Sequence, residues 1–387
     1  MSIERFFLPL RPETMKIFIP IFCIFVLCFH NAGAVESNDD TTKIKEWQLG
    51  GEFFRGKIFQ HTPFIAPIIE RPAVGGEIFL SRQTSGQNDW SAFFNHPDYG
   101  ICYTFLDLGS PDYAGTAHCL FPYLNFHLFN NRNPLNLNLR IGTGLAYVEK
   151  VYDAEANPLN QAFSTHLNAI LNAQLKGECR IGGNWAMFTG AEIMHISNGA
   201  YQMPNLGLNV LGLFAGISRS FGNQIKLTPF EKSTVNTNNR NWDCSVFLSG
   251  GIKEIKPIGG KKYPAGDFNV EVTKKHLEYT RFGLSLDITY DASEYDCIIF
   301  QSLPAVERLN TTRVGISGGY VLLLGKLSLD TYFGVYLHEE NPLYGKIYQR
   351  TNLRYPLSDR IKLSLSLRNH KGKADYIGLG FGIRLTK

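Results

Sequence analysis

The feature that most constrains the fold of this chain is an alternation of apolar and polar residues that continues from residue 51 onward. Successive side chains of a β-strand point to opposite faces, so a strand with one apolar face alternates with a period of two. In the segment FGLSLDITY the apolar side chains share one face: Phe282, Leu284, Leu286, Ile288 and Tyr290. The pattern predicts an all-β chain.

About fifteen alternating runs can be marked, separated by polar connections. They cover residues 51–61, 75–84, 99–109, 118–129, 135–148, 163–178, 184–197, 207–221, 242–254, 278–291, 308–321, 327–339, 344–354, 360–369 and 373–386. Many reach about ten residues, the length that a tilted transmembrane strand needs. Single-chain bacterial barrels have even strand numbers, so we expect about 14 strands, with about 12 as the alternative. We expect residues 51–387 to form one antiparallel transmembrane β-barrel.

A soluble β-sandwich or barrel would show the same period, with its apolar residues inside. The polar faces of the runs favour the membrane barrel. They carry asparagine, arginine, aspartate, serine and glycine, which suit a wet or crowded lumen. Tyrosines near the ends of the runs fit the aromatic girdles of a membrane barrel: Tyr147, Tyr290, Tyr336 and Tyr376.

The first residues have the composition of an export signal. An apolar run, Ile17 to Phe29, is too short to span a bilayer as a helix. A small-x-small cleavage motif ends at Ala34. We expect residues 1–34 to be a signal peptide, with Met15 as a possible true start, and residues 35–50 to be an N-terminal segment before the barrel. A buried N-terminal helix is the alternative interpretation of the apolar run.

Net charge and cysteine content give no support for nucleic-acid binding, for a cysteine metal site or for a disulfide framework. A formal net charge of +4 gives no basis for nucleic-acid binding. The cysteines beyond the predicted signal are odd in number and lack C-x-x-C spacing, so they indicate neither a metal site nor a disulfide framework. They are Cys102, Cys119, Cys179, Cys244 and Cys297.

One short segment, HISNGAYQMPNLGLN, brings reactive residue types together between two runs. Strand parity places His195 and Ser197 on one face of the first run. In the second run Asn209 shares its face with Leu211 and Leu213. A short Pro-Asn-Leu-Gly connection would bring all three polar side chains to the rim of an apolar surface, where unused polar groups are costly.

These three residue types permit nucleophilic acyl transfer. A serine hydroxyl needs a base within hydrogen-bond reach, and the base needs a third group that fixes its tautomer. We expect Ser197 to be the nucleophile, His195 the base and Asn209 the group that orients the base. An amide carbonyl accepts an imidazole N–H as a carboxylate does, but it carries no full charge to stabilise the imidazolium.

An oxyanion site would complete this chemistry. Backbone N–H groups near Asn198 and Gly199, or the side chain of Asn205, are the candidates. Glu192 is close in sequence but lies on the opposite strand face, so it is a poor partner for the histidine. The motif H-x-S-N is weak by itself, and a polar turn without catalytic activity is the alternative.

The segment HISNGAYQMPNLG resembles the active-site hairpin of the outer-membrane lipid A 3-O-deacylases, β-barrel esterases of the Gram-negative envelope. Their pattern is His-x-Ser-Asn, a short gap, Pro-Asn-x-Gly, and an acidic residue two positions later. The matching residues are His195, Ser197, Asn198, Pro204, Asn205 and Gly207. Asn209 stands where the family has an acid. The chain also has a general likeness to longer acyloxyacyl hydrolase relatives of the deacylases, in which the segment from Tyr152 to Asn168 would lie upstream of the hairpin.

The resemblance implies an outer-membrane esterase that hydrolyses an ester-linked acyl chain of lipid A, with lipopolysaccharide as substrate, outer-membrane lipids as surroundings and no cofactor. The Ser, His and Asn set is also similar to that of outer-membrane phospholipase A, which lacks the Pro-Asn-x-Gly turn and uses calcium. Calcium is therefore expected only under that alternative. A porin-like or structural barrel without activity is a third possibility. The deacylases have eight strands, which leaves the additional strands unaccounted for.

Overall fold

The computed structural model describes residues 43–129, 135–230, 241–255, 258–300, 311–339 and 345–386. The predicted signal peptide, residues 1–34, lies outside the described residues, so it stays a prediction. Residues 43–50 already belong to the first strand, so the barrel begins earlier than the predicted residue 51. Within the described ranges no helix is long and apolar enough to cross a bilayer.

The described residues form sixteen antiparallel strands. The first eight are β1 (Lys43–Ile58), β2 (Ala73–Gln83), β3 (Asp98–Asp107), β4 (Thr116–His127), β5 (Leu135–Val148), β6 (Leu167–Gly182), β7 (Trp185–Ser197) and β8 (Leu208–Lys226). The others are β9 (Trp242–Glu254), β10 (Lys262–Leu277), β11 (Thr280–Asp291), β12 (Thr312–Leu324), β13 (Leu327–His338), β14 (Ile347–Pro356), β15 (Ile361–His370) and β16 (Lys373–Arg384). A 3₁₀ helix (Pro63–Ile68) and two short helices, α1 (Asp89–Phe93) and α2 (Ser293–Phe300), lie in connections.

The strands close into two separate barrels. β1 pairs with β8 along most of its length, and β16 pairs with β9. The prediction of an antiparallel β-barrel is confirmed, but one barrel of about 14 strands over residues 51–387 is wrong. Alternation reports which face of a strand is apolar. It does not report which distant strand supplies the closing hydrogen bonds.

The strand missing from the predicted runs is β10. Its outward side chains, Phe268 and Val272, alternate with Asp267, Asn269 and Glu271. The charged residues on its inner face set β10 apart from the apolar-polar runs marked in the sequence. In the folded barrel Arg368 pairs with Asp267 at 2.6 Å, and that partner lies far away in sequence.

Both barrels carry apolar side chains outward. Leu213 on β8 and Leu284 on β11 are among the most exposed residues. Tyr147 and Tyr290 are exposed near strand ends, as expected for girdles. Tyr336 and Tyr376 are instead buried in the second barrel: the Tyr336 hydroxyl accepts a hydrogen bond from Arg368, and that of Tyr376 donates to Asp267.

The interior of each barrel is filled by side chains, as expected for eight strands. In the first barrel Arg140 pairs with Glu77 at 2.5 Å. In the second, Glu271 accepts hydrogen bonds from Arg350 at 2.8 Å and from Arg354 at 2.7 Å. These ion pairs, with the aromatic rings around them, occupy the space that a pore would need.

The two barrels contact each other at both ends. At the end that carries the β7–β8 loop, the backbone N–H of Glu254 donates to the carbonyl of Ala200 at 2.9 Å. At the opposite end, an apolar cluster joins α1 and β4 of the first barrel to β12 of the second: Phe93, Phe94, Phe126, Tyr320, Leu322 and Leu324. The second barrel therefore lies beside the loop that follows Ser197.

Candidate active site

Strands β7 and β8 form a hairpin in which His195 pairs directly with Asn209. Trp185 and Met187 on β7 are exposed on the outer surface, and His195 and Ser197 follow on the same face. On β8, Leu211 and the following alternate residues point outward on the face that carries Asn209. The structure thus brings the three predicted site residues together on the outside of the first barrel.

The three side chains form a continuous hydrogen-bonded relay. Nδ1 of His195 lies 2.8 Å from Oδ1 of Asn209, and Nε2 lies 2.9 Å from Oγ of Ser197. A carbonyl oxygen only accepts hydrogen bonds, so the proton of the neutral imidazole is on Nδ1. Nε2 then offers its lone pair to the serine hydroxyl, which is the arrangement that a general base requires.

The relay is shielded by the chain around it. Ser197 is 8% exposed, although its face of the strand points outward. Gly207 has φ +67°, and a Cβ there would lie 2.9 Å from Cε1 of His195. A Cβ on Gly199 would lie 2.4 Å from Cδ1 of Ile377 in the second barrel. The β7–β8 loop and the neighbouring barrel therefore border the site and reduce its contact with water.

The three predicted oxyanion donors differ in their hydrogen bonding. The backbone N–H of Asn198 donates to Oδ1 of Asn205 at 3.0 Å, so that donor is already committed. Within the described residues, neither the Gly199 N–H nor the Asn205 amide NH₂ donates a hydrogen bond. These two groups are the donors that a substrate carbonyl could use.

The β5–β6 connection (149–166) holds this loop in place. The side-chain amide of Asn198 donates to Oγ of Ser164 at 3.0 Å, and Ser164 in turn donates to the carbonyl of Gln202. Backbone bonds from Leu206 to Gln161 and from Gly207 to Ala162 extend the contact. The segment from Tyr152 to Asn168 therefore acts as a support for the β7–β8 loop.

One neighbour of the relay was not predicted from the sequence. His61, in the β1–β2 connection, lies with Nδ1 3.3 Å from Nδ2 of Asn209 and Nε2 3.1 Å from the carbonyl of Leu206. It stands 148 positions before Asn209 in the chain and belongs to no motif. Only the closure of β1 onto β8 brings it to the site.

Other candidate groups lie elsewhere. Glu192 points into the first barrel, where it accepts hydrogen bonds from Asn172 at 2.9 Å and from Gln174 at 3.0 Å. It does not contact His195, in agreement with its strand parity. In the described part of the chain, no group of three or more histidine, cysteine, aspartate or glutamate residues is arranged to hold a metal ion.

Two family models match the chain, one on each barrel. Residues 75–218 match "Lipid A 3-O-deacylase (PagL)", and residues 242–387 match "Acyloxyacyl hydrolase, C-terminal domain". The first match contains the complete hairpin from His195 to Asn209. No curated protein matches the chain.

Several solved structures are similar to the chain at low identity. Neisserial surface protein A is 11% identical with a TM-score of 0.32, covering 45% of this chain and 97% of its own. The outer membrane enzyme PagL is 14% identical with a TM-score of 0.29, covering 45% of this chain and 99% of its own. A Rhodopseudomonas blastica porin variant is 8% identical with a TM-score of 0.18, and the match covers 88% of this chain and 99% of the porin.

Proposed function

Because the chain belongs to the family of lipid A 3-O-deacylases and acyloxyacyl hydrolases, we propose that it is an outer-membrane serine esterase that removes an ester-linked acyl chain from lipid A. The observation that carries the proposal is the Ser197–His195–Asn209 relay on the outer surface of a barrel. A nucleophile there meets a lipid ester without a soluble cleft. The cell compartment is the outer membrane of a Gram-negative bacterium.

The reaction follows from the relay. Oγ of Ser197 attacks the ester carbonyl while Nε2 of His195 takes the hydroxyl proton. The Gly199 N–H and the Asn205 amide stabilise the negative charge on the carbonyl oxygen. His195 then protonates the leaving alcohol of lipid A, which leaves an acyl-enzyme. Water, deprotonated by His195, attacks the acyl-enzyme and releases the fatty acid and Ser197.

The lengths of the connections between strands indicate which leaflet of the membrane the proposed active site faces. Three of the four two-residue turns between the described strands, at residues 183–184, 278–279 and 325–326, lie at the end opposite the site, and the fourth, at residues 371–372, lies at the site end. Longer connections such as 149–166 lie at the site end. Outer-membrane barrels have short periplasmic turns and longer extracellular loops. The site therefore faces the outer leaflet, where lipid A resides.

A phospholipase is the second candidate, because Asn209 stands where the deacylases have an acid. Porin activity has no support, since the described lumens are filled by ion pairs and aromatic side chains. The two esterase candidates share the relay and differ in substrate and in calcium. A direct comparison of substrates separates them.

The test supplies purified protein with lipopolysaccharide or with phospholipid micelles, each with and without a calcium chelator, and measures released fatty acid. We expect release from lipopolysaccharide, unaffected by the chelator. Ser197→Ala should lower the rate by about 10⁴-fold or more, whereas Ser220→Ala at the far end of β8 should not change it. Chelator-sensitive release from phospholipid alone would favour the phospholipase, and full activity of Ser197→Ala would exclude the relay.

A further inference from the structure

The side chain of His61 contacts the one group of the relay that has two possible orientations. An asparagine amide has an accepting oxygen and a donating nitrogen of nearly the same shape. If Asn209 presented its nitrogen to His195, Nδ1 would have to accept and the proton would move to Nε2. Nε2 would then have no lone pair for the Ser197 hydroxyl. A carboxylate in this position has no such second orientation, because both of its oxygens accept.

Hydrogen bonding determines the protonation of His61. Nε2 lies 3.1 Å from the Leu206 carbonyl, which only accepts, so Nε2 carries the proton of the neutral ring. Nδ1 is then an acceptor and faces the amide nitrogen of Asn209 at 3.3 Å. The Phe59 carbonyl is a more distant neighbour of Nδ1, at 3.4 Å. A neutral His61 therefore accepts from the nitrogen of Asn209 and directs its oxygen towards His195.

We propose that His61 is a positioning residue that selects the catalytic orientation of the Asn209 amide, a selection that a carboxylate in this position would not need. This inference rests on the proposed esterase function of the Ser197–His195–Asn209 relay. The positioning role of His61 explains how the neutral amide of Asn209 can stand where the deacylases have an acid. The orientation comes from a neighbouring imidazole in the β1–β2 connection.

The environment of His61 keeps it in the required form. Burial lowers the pKa of His61, and the carbonyls of Phe59 and Leu206 oppose this effect because both would accept hydrogen bonds from the protonated ring. Within the described residues no charged side chain contributes to the shift, and the titratable neighbour is His195 of β7. The neutral ring is thus present at neutral pH and is lost as the pH falls, when a proton on Nδ1 would repel the amide nitrogen.

The experiment combines kinetics with a direct observation of the tautomer. Fatty acid release from lipopolysaccharide is measured for His61→Ala, His61→Gln, Asn209→Asp and the double variant His61→Ala/Asn209→Asp. His118→Ala is the matched control, since His118 lies on the outer face of the same barrel and contacts Tyr103. ¹⁵N chemical shifts of the His195 ring report which of its nitrogens carries the proton.

We expect His61→Ala to lower kcat roughly tenfold to hundredfold with little change in KM, because an amide that selects the wrong tautomer costs up to about 10⁴-fold. His61→Gln should recover at least part of the loss, since its side-chain oxygen can accept from the amide. In the Asn209→Asp background, His61→Ala should lower kcat by less than about twofold, because both oxygens of a carboxylate accept and no orientation has to be selected. His118→Ala should match the unchanged protein.

The ¹⁵N spectra separate failure of this proposal from failure of the esterase function. In the unchanged protein the His195 proton should reside on Nδ1, and in His61→Ala it should be shared between the two nitrogens. If the unchanged protein releases no fatty acid but His61→Ala still moves the His195 proton between the two nitrogens, the esterase function is refuted and the positioning role of His61 is retained. An unchanged tautomer in His61→Ala, or an equal kinetic loss in both Asn209 backgrounds, would overturn the role of His61.

Discussion

At the scale of single residues, Gly207 shows how closely the turn approaches the catalytic pair. Its φ of +67° favours glycine, and a Cβ would lie 2.9 Å from Cε1 of His195 and 3.1 Å from Cβ of Ser197. Both atoms belong to the relay, so a methyl group there displaces the base, the nucleophile or both. Glycine is thus required at this position of the Pro-Asn-x-Gly motif both for the backbone conformation and for the undisturbed placement of His195 and Ser197.

We expect Gly207→Ala to lower kcat/KM by about 10²-fold, because small displacements of reacting groups have effects of this size. Gly183→Ala is the matched control. Gly183 has φ +58° in the tight β6–β7 turn, and nothing lies within 4 Å of its added Cβ. Both variants carry backbone strain, but only the first disturbs the relay. Equal activity of the two variants in the fatty acid assay would contradict this account of Gly207.

At the scale of secondary-structure elements, the β7–β8 loop is held by side-chain hydrogen bonds and by single backbone hydrogen bonds rather than by regular strand pairing. Asn205 has two separate contributions within it. Its Oδ1 accepts the backbone N–H of Asn198 at 3.0 Å, and its NH₂ group is available for a substrate oxyanion. A substitution that retains the acceptor and removes the donor distinguishes these contributions.

We expect Asn205→Asp and Asn205→Ala to lower kcat to a similar extent, by about 10²-fold to 10³-fold, with little change in KM. The aspartate variant keeps an acceptor for the Asn198 N–H, so its loss would report the missing donor. Single-turnover rates of fatty acid release provide the measurement. If Asn205→Asp kept nearly full activity while Asn205→Ala lost it, the residue would be only a support for the loop.

At the scale of the whole molecule, the two barrels depend on different interiors. The first has mixed aromatic and polar contents, including Phe79, Phe121 and Arg140. The second is organised by charges. Arg350, 1% exposed, pairs with Glu271 at 2.8 Å and with Asp287 at 3.1 Å. Removing one partner of such a buried pair leaves an uncompensated charge.

We expect Arg350→Met to lower the free energy of unfolding of the second barrel by about 3–5 kcal/mol. Arg71→Met is the control, because Arg71 forms an exposed pair with Asp107 whose loss costs at most about 1 kcal/mol. Urea unfolding, followed by fluorescence and by protease sensitivity of the second barrel, measures both. If Arg350→Met lowered the free energy of unfolding no more than Arg71→Met does, the stability of the second barrel would not depend on the ion pairs of Arg350.

The sequence by itself determined the local properties of this protein. Strand parity follows from alternation within a few residues, so it correctly placed His195, Ser197 and Asn209 on one outward surface and Glu192 on the other. The hairpin between β7 and β8 is equally local, because its turn residues lie between its own strands. The family resemblance depended on that same hairpin.

Only the tertiary structure decided the long-range properties. Closure into two barrels depends on pairing of β1 with β8 and of β9 with β16, and periodicity does not specify such partners. The charged inner face of β10 is stable only beside arginines from β14 and β15. His61 reaches Asn209 only because the first barrel closes, since the contact joins residues 148 positions apart. Each of these features depends on hydrogen bonds or ion pairs between segments that the chain keeps far apart.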